Sequence, residues 1–230
     1  MLTAARTAPN RAFVHPFDRK YGTDTSGYLG PEELVKGRAN DAHNYGYSAI
    51  APSVFREAYR RWRETLPAVS GRVEGYSFVD LGCGKGRALL LAAEWPFRKI
   101  IGVELIDELS SIAESNAARW TKATNSKARI RVMRQDATTF QWPRAPLLVY
   151  LYNPFACSLV AQIAARLASI AAAGSAPVDL LYVNPTCADA LSTQGGFAHL
   201  WTLRITMDAA DQEADPYGTT SDLVSAYRLK

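Results

Sequence analysis

The chain has 230 residues and carries 26 Lys plus Arg against 22 Asp plus Glu, which gives a net charge of +4. Hydrophobic residues make up 48% and charged residues 21%. This composition excludes wholesale disorder, and the length predicts one substantial domain with room for an appendage. No apolar run approaches the ~18 residues of a membrane span. Because the basic excess is small and scattered, neither a membrane nor a nucleic acid is an expected partner.

Three cysteines, Cys83, Cys157 and Cys187, are spread widely along the chain. Their spacing contains no paired metal-ligand pattern, so the sequence predicts no metal site. Free thiols in a reducing compartment are the simplest interpretation of such spacing. The first residues also lack the apolar core of a secretory signal, and together these features predict a cytoplasmic protein.

Residues 1–50 are polar and weakly periodic, whereas helix-like and strand-like segments alternate from about residue 52 onward. The first of these, 52–66, predicts an amphipathic helix because its apolar residues recur at three- and four-residue steps. The predicted strands span 76–81, 99–104, 129–136, 146–152, 178–184, 199–205 and 222–229, and the helices between the first five begin near Lys85, Asp107 (as N-cap) and Ser158.

Strands that alternate with helices form βαβ units, and such units build a parallel sheet with helices on both faces. The pattern therefore predicts an α/β fold with a doubly wound, mostly parallel sheet. We expect two parts: an N-terminal lid and helical segment over 1–70, and a ligand-binding domain over 71–230.

A glycine loop, FVDLGCGKGR, lies between the first predicted strand and the following helix. Gly82, Gly84 and Gly86 permit a sharp turn and close approach of a ligand. The dinucleotide fingerprint is not met, because Arg87 occupies the position of its third glycine. Asp80 precedes the loop by two residues, and a fixed negative charge there favours a cationic ligand over a diphosphate.

The loop and its acidic residue resemble motif I of the class I S-adenosylmethionine (SAM) dependent methyltransferases. IGVEL (101–105), the Asp-Ala pair at 136–137 and the YNPF run after the fourth strand match three further motifs of that family in the same order. The resemblance implies a seven-stranded, mostly parallel sheet and SAM as cofactor, with ribose held by an acidic residue ending strand two and adenine by one ending strand three. The implied cofactor-binding residues are Asp80, Gly82, Cys83, Gly84, Glu104, Leu105, Asp136, Ala137, Asn153 and Phe155.

The run Tyr152, Asn153, Pro154 and Phe155 is similar to the Asn/Asp-Pro-Pro-aromatic motif of amino-group methyltransferases, although it has one proline instead of two. In that motif the Asn oxygen accepts a hydrogen bond from the substrate amine. We therefore expect Asn153 and Tyr152 to be catalytic, with Pro154 restricting Asn153 to extended backbone. Asn184, also followed by proline, is a weaker candidate to face the sulfonium. The alternative is that Asn-Pro is only a turn.

The N-terminal segment contains clustered aromatic residues among polar turn residues, including Phe17, Tyr28, Tyr45 and Tyr47. Such a segment either packs on the flank of the domain or closes over the cofactor as a lid that excludes water. In the second case we expect Tyr47 to take part in the chemistry. The segment and motifs together are similar to a bacterial group of class I methyltransferases, which are distantly similar to the non-SET histone lysine methyltransferases.

The resemblance implies a transferase that moves the SAM methyl group to an amine or other nucleophile of a small molecule, with a protein lysine as a further possibility. Two alternatives use the same motifs. One is intramolecular cyclisation of SAM to azetidine-2-carboxylate, with release of methylthioadenosine. The other is a SAM-binding protein without catalysis. The sequence does not give the acceptor atom or the oligomeric state.

Overall fold

A computed structural model describes residues 14–34, 46–67, 72–174, 176–215 and 218–229, apart from the side chain of Gln194. Tyr45 of the aromatic cluster lies outside these residues. Within these ranges, four short helices or strands precede the first long helix. The elements in chain order are α1 (Pro16–Tyr21), β1 (Tyr28–Leu29), α2 (Pro31–Leu34), β2 (Tyr47–Ser48), α3 (Pro52–Glu64), β3 (Ser77–Leu81), α4 (Arg87–Ala92), β4 (Lys99–Glu104), α5 (Asp107–Thr124), β5 (Ile130–Arg134), β6 (Leu147–Tyr152), α6 (Cys157–Ala172), β7 (Val178–Val183), α7 (Ala188–Gly195), β8 (Phe197–Thr206), α8 (Ala209–Ala214) and β9 (Ser221–Leu229).

Seven strands form the central sheet in the order β5-β4-β3-β6-β7-β9-β8. The first five strands of this order pair in parallel, and β9 pairs antiparallel with both β7 and β8. The prediction of a doubly wound, mostly parallel sheet is confirmed. The chain order reverses between β3 and β6, and a ligand crevice is expected at such a point, beyond the carboxyl ends of the strands.

Each face of the sheet is covered by helices, which is why the central strands are apolar on both sides. Helices α3, α4 and α5 pack on one face together with Phe17 of α1, and α6 and α7 pack on the other. Trp62 of α3 is fully buried and donates its indole N–H to the buried carboxylate of Asp179, at 2.8 Å. The N-terminal elements thus share the core of the sheet.

Two local predictions are wrong. Asp107 begins α5 as its first helical residue and does not cap it; the N-cap is Ile106, which makes no capping side-chain bond. Cys157 and Cys187 are not free thiols, because they form a disulfide. Their spacing of 30 residues gave no sign of this, since only the meeting of the α6 and α7 termini brings them together. Cysteine usage therefore no longer supports a reducing compartment. Cys83 is a free, buried thiol.

Every helix of the described residues is too short or too polar to cross a bilayer.

Candidate functional site

A cavity opens at the carboxyl ends of β3, β4 and β6, where the sheet order reverses. Eleven of the twelve residues predicted to bind the cofactor or to be catalytic line it, and Asn153 is the exception. Tyr150, Arg87 and Ile50 also contribute to the wall, although the motifs did not indicate them. The eleven lining residues are Tyr47, Asp80, Gly82, Cys83, Gly84, Glu104, Leu105, Asp136, Ala137, Tyr152 and Phe155.

The glycine loop has left-handed backbone at Gly82, Gly84 and Gly86, with φ of +72°, +54° and +88°. A side chain at Gly82 would place its Cβ 2.8 Å from Cβ of Pro154, and one at Gly84 would collide with the ring of Tyr47. Only glycine combines this backbone with such close neighbours. The loop is consequently packed between the N-terminal segment and the loop after β6.

Two buried carboxylates lie beside the glycine loop, on neighbouring strands. Glu104 accepts hydrogen bonds from the backbone N–H groups of Gly84 (2.8 Å) and Ile106 (2.9 Å), and so fixes the loop to the end of β4. Asp80 lines the cavity and is 3% exposed. Burial, with the nearby Glu104 as a smaller cause, raises the pKa of Asp80 well above its ordinary value. A cation beside Asp80 would relieve this penalty.

The N-terminal segment forms a cover over the glycine loop, and we use "the cover" for residues 14–34 and 46–50. The ring of Tyr47 lies against Gly84, and its hydroxyl donates to the carbonyl of Thr25 at 2.6 Å. Burial raises the pKa of the Tyr47 hydroxyl far above its ordinary value, so this group is neutral. Tyr47 therefore presents an aromatic surface to the cavity while its polar end is occupied.

A buried charge pair anchors the cover. Arg87, 5% exposed, donates to Thr25 Oγ1 at 2.6 Å and lies 3.4 Å from the carboxylate of Asp18. Asp18 also accepts bonds from the hydroxyls of Thr23, Thr25 and Ser26. Burial alone would raise the pKa of Asp18, but Arg87 and the three hydroxyls outweigh it and lower the pKa. The residue that breaks the dinucleotide fingerprint is thus the one that holds the cover.

A second anchor joins the cover to α3 and α8. His15 Nδ1 accepts from the backbone N–H of Phe17, so Nε2 carries the proton and donates to Asp211 at 2.9 Å. Asp211 also accepts from the backbone and the hydroxyl of Ser53. Ser53 bonds to the carboxylate and not to the imidazole. The arrangement therefore lacks the serine–histidine contact of a nucleophile and functions as a structural clamp.

Asn153 directly follows β6 and Asn184 directly follows β7, and both have left-handed backbone, with φ of 42° and 48°. The expectation that Pro154 would hold Asn153 extended is therefore wrong. Asn is among the few residues that tolerate this conformation, which by itself accounts for Asn at both positions. Asn184 does not face the cavity: its amide donates to Asp222 at 2.7 Å and accepts from the backbone N–H of Leu223.

Asn153 lies just outside the cavity wall. Its Oδ1 accepts from the hydroxyls of Thr186 at 2.7 Å and Tyr182 at 3.3 Å. The Cys157–Cys187 disulfide connects the same two loops. We call 153–157 and 184–187 the Asn-Pro loops; a covalent bond and this hydroxyl–amide contact join them.

No protein-family model and no curated protein matches the sequence. Solved structures do match. An RNA methyltransferase from Salinibacter ruber, in complex with S-adenosyl-L-homocysteine, is 16% identical, with 80% of this chain and 92% of that chain covered and a TM-score of 0.51. TrmN from Thermus thermophilus is 18% identical over 79% of this chain and 49% of that chain, with a TM-score of 0.51. An uncharacterized protein from Listeria monocytogenes serotype 4b is 10% identical over 76% and 66%, with a TM-score of 0.50.

At identities of 10–18%, these likenesses establish the fold. The strand order, with an antiparallel strand inserted beside β7, is that of the class I methyltransferase fold. The assignment of ligand and reaction has to come from the site itself.

Proposed function

We propose that this protein is a SAM-dependent methyltransferase. The observation that carries the proposal is that Asp80, Glu104 and Asp136 line one cavity, each within two residues of the carboxyl end of one of the neighbouring strands β3, β4 and β5. A three-glycine loop with left-handed backbone borders the same cavity. Acidic groups suit a ligand that carries an ammonium, a sulfonium and ribose hydroxyls, and disfavour one that carries a diphosphate.

Three regions of the cavity suit three different parts of SAM. Asp80 would hold the ammonium group of the methionine portion, and Glu104 the two ribose hydroxyls. Asp136 and Ala137, at the end of β5, would contact the adenine. A carboxylate has about four acceptor positions, so Glu104 can bond a ribose while it holds the backbone of Gly84.

Bound SAM would supply a methyl group that is carried by its sulfonium sulfur. When the methyl group is transferred, the rest of SAM leaves as a neutral thioether, S-adenosylhomocysteine. The chain then has to align the acceptor, sulfur and methyl carbon, and positioning of this kind is worth up to ~7–11 kcal/mol. The cover would limit the access of water to the reacting groups, since the ring of Tyr47 lies against the glycine loop. The Tyr47 hydroxyl stays protonated, so Tyr47 would contribute the packing surface of its ring and would not act as a base.

For the acceptor, we propose an amine or other nucleophile of a small molecule, entering between the cover and the Asn-Pro loops. Tyr152 lines the cavity there, and Asn153 lies behind it. Asn153 would orient the nucleophile through Oδ1, which accepts a hydrogen bond from the Thr186 hydroxyl in the structure. A substrate amine that donates a hydrogen bond to Asn153 Oδ1 would replace the Thr186 hydroxyl there. A protein lysine is a larger acceptor with the same chemistry.

The test is incubation of the purified protein with SAM and a panel of amines, followed by identification of the nucleoside product. S-adenosylhomocysteine formed only with an acceptor supports methyl transfer. Methylthioadenosine formed without an acceptor indicates cyclisation, and binding without any product indicates a non-catalytic protein. A protein that binds neither SAM nor S-adenosylhomocysteine contradicts the whole proposal.

Carboxylate variants test the cofactor site by calorimetry. Asp80→Asn and Glu104→Gln are expected to weaken S-adenosylhomocysteine binding by about tenfold or more, because each loses the negative charge and replaces one acceptor oxygen by a donor NH2 group. Glu114→Gln, on the exposed side of α5, is the matched control and should bind normally. Unchanged affinity in both site variants contradicts the assignment.

A further inference from the structure

The hydroxyl of Tyr150 is buried without a hydrogen-bond partner. Tyr150 is 1% exposed, and among the described residues five buried side-chain polar atoms lack a partner. Tyr150 is the one of these five residues that lines the cavity. Buried polar groups in proteins are nearly always paired, so an unpaired one that faces a binding cavity indicates a partner supplied by the ligand.

The position of Tyr150 in the sheet fixes which part of the cavity it faces. Tyr150 on β6 is the register partner of Asp80 on β3. Neighbouring strands lie about 4.8 Å apart, and paired residues of parallel strands project to the same face. The phenol therefore stands beside the buried carboxylate of Asp80, on the side of the sheet that α3 covers.

Packing holds the ring of Tyr150 in this position. Its centroid lies 5.3 Å from the ring of Phe55 and 5.9 Å from that of Phe78, in edge and tilted arrangements. Burial first, then the charges of Asp80 and Asp222, raise the pKa of Tyr150, so the phenol stays protonated and neutral.

We propose that the Tyr150 hydroxyl binds the ammonium group of the methionine portion of SAM, together with Asp80; this inference rests on the proposed function. The phenol oxygen would accept an N–H, and the carboxylate would accept a second. The sulfonium has no hydrogen to donate, which leaves the ammonium as the cationic group of SAM that suits a carboxylate and a phenol oxygen side by side. The ligand carboxylate is disfavoured next to Asp80 and Glu104.

The test compares the wild type with Tyr150→Phe, which removes one oxygen and keeps the packed ring. Three ligands are titrated by calorimetry: S-adenosylhomocysteine, its deaminated analogue, which keeps the carboxylate, and methylthioadenosine, which lacks the amino-acid portion. Tyr150→Phe should bind S-adenosylhomocysteine about tenfold more weakly and the other two within about twofold of wild type. Equal losses for all three ligands, or no loss for any, overturn the inference.

A stability measurement gives a second readout that needs no ligand. Because an unpaired buried hydroxyl is unfavourable, Tyr150→Phe should raise the Tm of the ligand-free protein. The control is Tyr76→Phe: this buried tyrosine has a partner, Asp179, at 3.5 Å, so its Tm should not rise. A lowered Tm in Tyr150→Phe contradicts the claim that the hydroxyl is unpaired.

Ligand binding by the wild type separates the two levels of the proposal. A wild type that binds no S-adenosylhomocysteine overturns both the proposed function and this inference. A wild type that binds it while Tyr150→Phe binds equally well overturns the inference alone. Loss of turnover in Tyr150→Phe with unchanged affinity would place the hydroxyl on the acceptor, and it too overturns the inference.

Discussion

The cover and the Asn-Pro loops enclose the cavity from two sides, and they are held in different ways. The cover is held by buried polar contacts, with Arg87 and Asp18 nearly inaccessible to solvent. The Asn-Pro loops are held by the Cys157–Cys187 disulfide and by a contact to Thr186, which is exposed.

This difference indicates which side opens to the acceptor. A buried charge pair is costly to break, because each separated partner keeps an uncompensated charge. A hydrogen bond at an exposed residue exchanges readily with water or with a ligand. We therefore infer that the cover stays closed on the glycine loop, and that the Asn-Pro loops move when the proposed acceptor enters between them and the cover.

The largest effect is expected from breaking the anchor of the cover. Arg87→Met leaves Asp18 buried without its charged partner, which should lower the free energy of unfolding by about 3–5 kcal/mol. Chemical denaturation measures the loss. Hydrogen exchange should show that residues 14–34 lose protection before the central strands do.

Two variants control this experiment. Arg56→Met removes an exposed ion pair with Glu94 and should cost no more than about 1 kcal/mol. Adding Asp18→Asn to Arg87→Met removes the unpaired charge and should recover part of the stability. A small effect of Arg87→Met, comparable to that of Arg56→Met, would contradict the view that this pair anchors the cover.

Removal of the disulfide between the Asn-Pro loops is expected to cause the next largest loss of stability. Replacing Cys157 and Cys187 by serine removes a cross-link between residues 30 apart. A link of that span contributes roughly 2–4 kcal/mol, so the variant should show a clearly lower Tm. Thiol reductant should lower the Tm of the wild type in the same way and leave that of the double variant unchanged. Equal wild-type Tm with and without reductant speaks against the link.

A smaller, kinetic effect is expected at the contact between the Asn-Pro loops. If Asn153 orients the nucleophile, Asn153→Leu should lower kcat by about tenfold with little change in SAM affinity. Thr186→Val removes the donor that occupies Asn153 Oδ1 and should leave kcat within about twofold of wild type. The same loss in both variants would show that the contact only holds the loop.

The smallest effect is expected from acid, which should destabilise the cover before it destabilises the Asn-Pro loops. Asp18 and Asp211 have lowered pKa values, because charged and hydroxyl partners outweigh their burial. Their contribution to stability is complete above the unfolded pKa of about 3.9 and is lost as the pH falls through the lower folded values. Burial raises the pKa of Asp222, which bonds Asn184, so protonation there stabilises the folded state. Below about pH 4, hydrogen exchange should therefore increase in residues 14–34 before it increases in 184–187; the reverse order would contradict this.

The sheet could be predicted from the sequence because each strand is specified by the hydrophobic pattern of its own residues. Apolar runs of five or six residues alternate with amphipathic segments, and the observed strands begin and end within two residues of the predicted ranges. The residues around the cavity could be predicted for the same reason, since Asp80, Glu104 and Asp136 each lie within two residues of the carboxyl end of a strand.

The rest depends on contacts between distant parts of the chain. Arg87 finds Asp18 across 69 residues, and the sequence gives no periodic sign of that pairing. Tyr150 lies in an apolar strand and is indistinguishable from core until the strand register places it beside Asp80. The residue type and the following proline predict a catalytic role for Asn153, whereas its left-handed backbone is by itself a sufficient reason for an asparagine there.

The position of β9 has a consequence for how the chain reaches its folded state. This strand follows β8 in the chain but lies between β7 and β8 in the sheet. During synthesis β8 has no partner until β9 emerges from the ribosome, and the edge of β7 stays open for the same time. This part of the sheet can therefore close only after β9 has been synthesised, and until then the open edge of β7 is available for mispairing or for binding by a chaperone.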